Sequence, residues 1–551
     1  AGNIFANYPN NTFQNGTFNG ESGNDLLQVE DFKSTLNGGL NNDLLVGESG
    51  VDQDLSNSKK ISLSGSKFYK LDELPEVLHG INCSCCSRDI EVKDPDPDPD
   101  ISTDITYAAS ASWQTMANHL GTGFWDEMYG GGNTREWNLS SSGNGPKSGT
   151  ISYSLANNDY DSDGLYFSGA YDLYRESFKL FGETLGINLQ DITSYTTTAD
   201  LDIMDTYSGA FASSSYYGDG SIASAYVNVS APWFNYYGTD FGTYSLQTIH
   251  HEIGHAIGLG HQGNYNGSAS YSSDAKYIND SWQASMMSYF SQSQNYNVTA
   301  SYAFLMTPSA VDWIALDDIY SDYSGYGVSN AFTGDTIYGF NTNISASQSN
   351  IWYSFSDYIS SAAYCIVDGS GDDTLDLSGL STDDSIDLRP TDKSSTTLYT
   401  SDIGGLVGNL HIAADTYIEN CVGGSGDNVI LGNTLDNTLS GGAGDDTLTG
   451  GAGDDTLNGG DGDDILNGGT GDDTIAGGNG ENTLNGGDGD DNLTGGSNDD
   501  TLNGGTGDDS LYGGTGNDTL NGGTGDDTFV GGDGNDIYVV DSISDTVTES
   551  S

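Results

Sequence analysis

The stretch GGAGDDTLTGGAGDDTLNGGDGDDILN, residues 441–467, is three copies of one nine-residue unit, and its reading decides the fold of this chain's C-terminal part. Working outward, the same unit divides residues 423–539 into thirteen consecutive nonads without a slip of register. The sixth position is Asp in ten of them, Asp446, Asp455, Asp464, Asp473, Asp491, Asp500, Asp509, Asp518, Asp527 and Asp536, and Asn in three, Asn428, Asn437 and Asn482. The six-residue GGxGxD part asks for a turn that exploits glycine's positive φ, and the last three residues ask for a short strand with one apolar side chain inward. A nonad is then half a coil. Eighteen residues complete one, so Asp446 stacks on Asp464 about one strand spacing (~4.8 Å) away, and such carboxylates repel unless a cation lies between them. A flexible Gly/Asp linker has no need of so strict a register.

This GGxGxDxUx pattern is that of calcium-binding parallel β-rolls, whose turns offer carboxylate and carbonyl oxygens together. Several Ca2+ ions are therefore expected, with weaker sites at the three Asn positions, because an amide supplies no charge. The nonads hold 24 of the chain's 80 acidic residues and no Lys or Arg. The whole chain of 551 residues carries 14 Lys and Arg for a net charge of -66, which argues against nucleic acid or an anionic membrane as main partner and suits cation binding. No run of 18 apolar residues occurs, so no membrane insertion is expected, and AGNIFANYPN lacks the features of a Sec signal.

Residues 1–105 read as a leader. GESGNDLLQ at Gly20 and GGLNNDLLV at Gly38 imitate the nonad, and DPDPDPD at 94–100 is an extended linker. Two or three imperfect nonads are expected to be weakly ordered or to pack on something else. The five cysteines, three of them crowded at Cys83, Cys85 and Cys86, do not look like a disulfide framework.

Between leader and repeats, residues 106–325 have α/β character. Strands are expected at 150–156, Leu201–Met204 and Ile222–Val229, and helices at Tyr171–Leu185, Tyr244–Gly258 and Ala310–Tyr320. Four of the seven histidines fall in TIHHEIGHAIGLGH, residues 248–261. On a helix His251 and His255 are i and i+4, so both imidazoles reach one ion. His261 joins them only if the chain turns back, which Gly258 and Gly260 permit. Three neutral nitrogens with an open fourth position mark one catalytic Zn2+ rather than a structural one. Glu252 is placed to take a proton from a zinc-bound water and return it to a leaving amine. His250 is read as a bystander.

HEIGHAIGLGH followed by SMMSYF resembles the metzincins, and MSY followed by nonads resembles the serralysins, secreted bacterial zinc endopeptidases. GDTIYGFNTN at 334–343 and GGLVGNLHIAADTYIENCVGGSGDNVILGN at 404–433 resemble the serralysin passage from protease to β-roll. The resemblance implies a metzincin-like α/β zinc protease domain at 106–325 and an all-β parallel β-roll at 326–551. By position, Met287 becomes the methionine beneath the zinc, and Tyr289 becomes a ligand of the resting metal that swings to stabilise the oxyanion. It also implies a secreted, extracellular endopeptidase, a monomer acting on proteins or peptides and exported by type I secretion machinery. Gln262 stands where serralysins usually have Pro, and TVTESS differs from their usual C-terminal signal.

Two other classes compete. One is a secreted calcium-binding adhesion or scaffold protein with an idle metal site, which the intact Glu252 disfavours; the other is an enzyme acting on a non-peptide carbonyl. Cys83, Cys85 and Cys86 precede the catalytic unit closely enough for a thiolate to occupy the zinc's open position as a latency switch. The alternative, solvated or mutually oxidised cysteines of a removable leader, is the favoured reading.

Overall fold

The computed structural model describes residues 109–548 apart from 130–133, 141–144, 147–148, 156–167, 194–197, 206, 264 and 266–268. Before residue 109 it describes six short strands. The chain divides into two compact units, Ala1–Ile81 and Asn82–Ser551.

In the first unit Ile4–Phe5, Leu26–Val29, Leu44–Gly47 and Lys67–Lys70 form one sheet, and Thr17–Asn19 pairs with Thr35–Asn37 in another. All pairs are parallel, and Thr17 meets Thr35 and Leu26 meets Leu44, steps of eighteen residues. In these two pairs the eighteen-residue step gives a strand a partner one coil away for its backbone groups even where the nonads are imperfect, while Ile4 with Leu27 and Leu44 with Lys67 step by 23.

The second unit begins with a five-stranded sheet built from β1 (Thr150–Ser154), β2 (Asn188–Asp191), β3 (Leu201–Met204), β4 (Ala210–Tyr216) and β5 (Ile222–Val229). Its order is β4-β5-β3-β1-β2, parallel except that the edge strand β4 runs antiparallel to β5. Helix α1 (Ser168–Leu185) buries Leu173, Phe178, Phe181 and Leu185, spaced at helical period, and Phe178 stacks on Tyr153 of β1 at 4.1 Å between centroids. Helix α2 (Tyr244–Ala256) is buried along its whole length. Helix α3 (Ala310–Tyr320) starts at a capping box in which Ser309 and Asp312 satisfy each other's amides.

The C-terminal part is a parallel β-solenoid of two sheets, ten and eight strands. Alternate nonads pair at eighteen-residue steps, as in Thr447 with Ile465 and Thr456 with Thr474, and the eighth-position Leu439, Leu448, Leu457 and Leu466 are buried between the sheets. The strands are longer than three residues: Thr447–Ala452 includes the first three residues of the following nonad. Gly451 makes this possible, since it holds φ +126° and a Cβ there would lie 2.3 Å from the Asn433 carbonyl of the coil below. The solenoid also extends beyond the nonads, from Ile337–Gly339 to Thr546–Thr548.

The α/β and solenoid parts are joined by a shared sheet. β6 (Phe304–Leu305) pairs with β7 (Ala362–Ile366), which pairs with β8 (Leu410–Ile412), all parallel. Among the described residues no helix is long and apolar enough to cross a membrane.

Candidate metal centre and cation turns

Helix α2 brings His251 and His255 to one face, and it ends where the sequence places its glycines. Gly258 adopts φ +121°, and a Cβ there would lie 2.0 Å from the Arg135 carbonyl. Gly260 is needed for space, because a Cβ would lie 2.5 Å from Phe124. The carbonyls left over at the helix end are satisfied by three ring donors: Trp137 Nε1 to Ala256 O at 2.9 Å, Tyr320 Oη to Ile257 O at 2.8 Å and Trp125 Nε1 to Gly258 O at 2.8 Å. After this reversal His261 returns to the other two histidines.

Each of the three offers one ring nitrogen, and these lie within 4.8 Å of one another. His251 Nδ1 bonds Met286 O and His255 Nδ1 bonds Leu259 O, both at 2.8 Å. A carbonyl only accepts, so each Nδ1 carries the hydrogen and each Nε2 presents a bare lone pair. His255 Nε2 lies 2.9 Å from His261 Nε2, and His251 Nε2 has no partner. Burial is the main cause lowering His251 to about 4, His255 to about 3 and His261 well below the usual value, so all three are neutral. Neutral ring nitrogens converging in this way suit a shared cation, and a three-imidazole donor set fits zinc. His250 is not part of it: its Nε2 donates to Met306 O at 3.1 Å.

Glu252 is completely buried and neither carboxylate oxygen has a hydrogen-bond partner. Burial raises its pKa well above the usual range, and the Ala212 amide of β4 acts weakly the other way. Met287 lies beneath α2; a Cβ on Gly254 would come within 2.9 Å of its sulfur. The Tyr289 ring packs against His261 and Tyr265, each at 4.7 Å between centroids, and 6.0 Å from His251.

Sequence reasoning missed the groups that hold this constellation. Asp312 is fully buried and accepts hydrogen bonds from Ser285 Oγ (2.6 Å), Met286 N (2.7 Å) and Ser309 N (2.9 Å). Asp280, also fully buried, accepts from Tyr265 Oη at 3.1 Å. Nothing in local spacing marks either one; an Asp at the third position of a capped helix was the only signal for Asp312.

In the solenoid all ten sixth-position aspartates share one arrangement. Oδ1 accepts the backbone amide eighteen residues earlier, as Asp464 does from Asp446 N at 2.8 Å, and Oδ2 is without a partner. The stacked carboxylates are therefore bridged through a backbone amide, and a cation belongs beside Oδ2 rather than between two carboxylates. That place is oxygen-rich: a Cβ on Gly459 would meet Asp464 Oδ2 at 2.2 Å and the Gly477 carbonyl at 2.6 Å. Ten buried, unsatisfied carboxylate oxygens beside carbonyls fit calcium. At the three Asn positions the amide nitrogen binds carbonyls instead, Asn428 Nδ2 to Gly426 O at 2.8 Å, Asn437 Nδ2 to Glu419 O at 3.0 Å and Asn482 Nδ2 to Gly480 O at 3.1 Å. Asp384, outside the nonads, also has an unpartnered buried Oδ2, and Asp541 and Asp545 gather with Asp527 at the last coil. Cys83, Cys85 and Cys86 lie outside the described residues.

Residues 328–551 match the Peptidase M10 serralysin C-terminal family, and residues 19–54 match the RTX calcium-binding nonapeptide repeat. The chain is 38% identical over 201 residues to metalloprotease AprA of Pseudomonas entomophila, covering 35% of this chain and 38% of that protein. It is 37% identical over 218 residues to serralysin C of Dickeya chrysanthemi, covering 37% and 41%. It is 32% identical over 255 residues to a serralysin of Photorhabdus sp., covering 43% and 48%. The matches span less than half the length of these relatives. Together with the solenoid and the repeats, these matches show that residues 328–551 are similar to the serralysin C-terminal family and that part of the chain is similar to serralysins and AprA metalloproteases.

Proposed function

We propose that this protein is a secreted zinc-dependent endopeptidase that cleaves proteins, with a solenoid ordered by calcium. The observation that carries the reading is the convergence of one ring nitrogen from each of His251, His255 and His261, with the buried Glu252 carboxylate, without a hydrogen-bond partner, next to His251 on the same helix. Zinc held there would polarise the scissile carbonyl and make the attacking water more acidic. Glu252 would take the proton of that water and return it to the leaving amine, a role its place next to His251 on α2 suits. Tyr289, packed on His261, donates its phenolic hydrogen to the developing oxyanion. The edge strand β4, whose Ala212 amide faces Glu252, offers its open edge to an extended peptide. Met287 supports the histidines from below and takes no part in proton transfer. Ca2+ at the ten aspartates offsets a charge that no basic residue within the nonads neutralises. Type I export and a monomeric state belong to the same reading.

Glu252→Gln tests it. The variant should retain one zinc per chain, because no ligand changes, while casein digestion falls by roughly 10²–10⁴-fold. Undiminished proteolysis would overturn the assignment of Glu252. Zinc bound without proteolysis in the parent would favour the adhesion or scaffold reading.

A further inference from the structure

We propose that His411, a residue of the solenoid part, is a positioning residue for the zinc site, and that through it the C-terminal part sets the Met286–Met287 turn. His411 lies on β8, level with Cys365 of β7, and is buried. Its Nε2 accepts the Ala310 amide at 3.2 Å and lies 3.0 Å from Ser309 Oγ, so it satisfies an amide of the first turn of α3 that has no partner within the helix. Ser309 Oγ also donates to Gln283 O at 2.6 Å.

From this helix start the connection runs on without a break. Asp312, one turn into α3, holds the Ser285 hydroxyl and the Met286 amide. The carbonyl of Met286 accepts Nδ1 of His251, which fixes the tautomer and direction of that imidazole. Four groups in series, His411, the α3 N-terminus, Asp312 and Met286, thus join β8 to a proposed metal ligand. The helix start can occupy its place against the turn only when β8 is in place. An imidazole in this position is otherwise unneeded, since Leu410 and Ile412 on either side are buried apolar residues. The inference rests on the zinc reading of the histidine triad.

The test compares His411→Leu, which removes the acceptor, with His411→Gln, whose amide oxygen reaches a similar place. Amide hydrogen exchange on the metal-free full chain reads the turn without using activity, and zinc release to a chelator reads the ligand set. For His411→Leu the Met286 and Ala310 amides should exchange at least about tenfold faster, and zinc should leave about 10–100-fold faster, the range seen when a ligand's supporting partner is lost. His411→Gln should recover most of both. The calcium midpoint of the solenoid's β-sheet signal should be the same in both variants. Casein turnover should fall in His411→Leu with little change in KM. Parent-like exchange and zinc release in His411→Leu would overturn the relay. Equal impairment of Leu and Gln variants with a displaced calcium midpoint would overturn it too, reducing His411 to packing. If the parent holds zinc but digests nothing, the endopeptidase reading fails while exchange and zinc release still decide the relay.

Discussion

Replacing Asp473 by Asn should have opposite effects on the solenoid with and without calcium. Asp473 Oδ1 accepts the Asp455 backbone amide at 2.8 Å, while Oδ2 is buried without a partner. Burial first, then repulsion from Asp455, Asp491 and Asp454, raises the carboxyl from 3.8 to about 7, against the Asp455 amide, which lowers it. A carboxyl whose pKa is raised by folding binds its proton more tightly in the folded state, so above pH 7 its ionisation destabilises that state. The full displacement corresponds to roughly 4 kcal/mol. Solvent screening along this acidic edge brings the working figure to about 1–2 kcal/mol. The Asn side chain is uncharged, and Asn482 shows the geometry open to it, with Nδ2 donating to Gly480 O. At pH 8 in chelator, Asp473→Asn should therefore fold more readily by about 1–2 kcal/mol, read from the midpoint of osmolyte-induced β structure by circular dichroism. With calcium at about 100 times its Kd, a lost site forfeits ~2.7 kcal/mol, leaving the variant ~1 kcal/mol less stable than the parent in urea unfolding. Calorimetric titration should count one calcium fewer. A variant less stable than the parent in both conditions, or an unchanged calcium count, would refute the assignment of Oδ2 to the cation.

Acidification should weaken calcium binding: burial raises Asp446 and Asp464 to about 6 and Asp500 to about 7, so below pH ~7 calcium must displace protons, and its affinity in titrations should fall steadily toward pH 5. The calcium-free solenoid should behave oppositely, losing stability as pH rises from about 4 toward 7, because its folded state binds more protons there than the unfolded chain. Tyr289→Phe should lower kcat by roughly 10²-fold with KM little changed, since the phenol acts on charge that exists only in the transition state; equal kcat would remove it from the mechanism. Gly258→Ala adds about 1–3 kcal/mol of backbone strain at φ +121° and a contact with Arg135 O, so it should lose zinc by metal analysis because His261 no longer returns to the site.

The residues that could be read in advance are those whose reason is local. The nonads announced their own coil because an eighteen-residue period carries partner, register and buried face together, and Thr447 does pair with Ile465. HEIGHAIGLGH announced a convergence of three histidines because helical spacing covers the first two and Gly258 supplies the turn for the third. Strands Leu201–Met204 and Ile222–Val229 and helix Ala310–Tyr320 were likewise legible from their apolar spacing. The imperfect copies near the start of the chain pair at the same eighteen-residue step, which no single copy displays.

What sequence alone determined, then, was the set of candidate groups: three histidines, one glutamate and a ladder of aspartates. Tertiary structure alone decided how those groups are held. Asp312 is far from His251 in sequence yet fixes the Met286 carbonyl that orients it, and Trp137 and Tyr320 close the end of α2 from opposite sides of the motif. The orphan Oδ2 atoms, and the backbone amide that occupies each Oδ1, follow from coil stacking and not from the order of residues within a nonad. The physical reason is range: turn chemistry and helical period act within about one turn of chain, while burial and hydrogen-bond satisfaction depend on whichever residues the fold brings alongside.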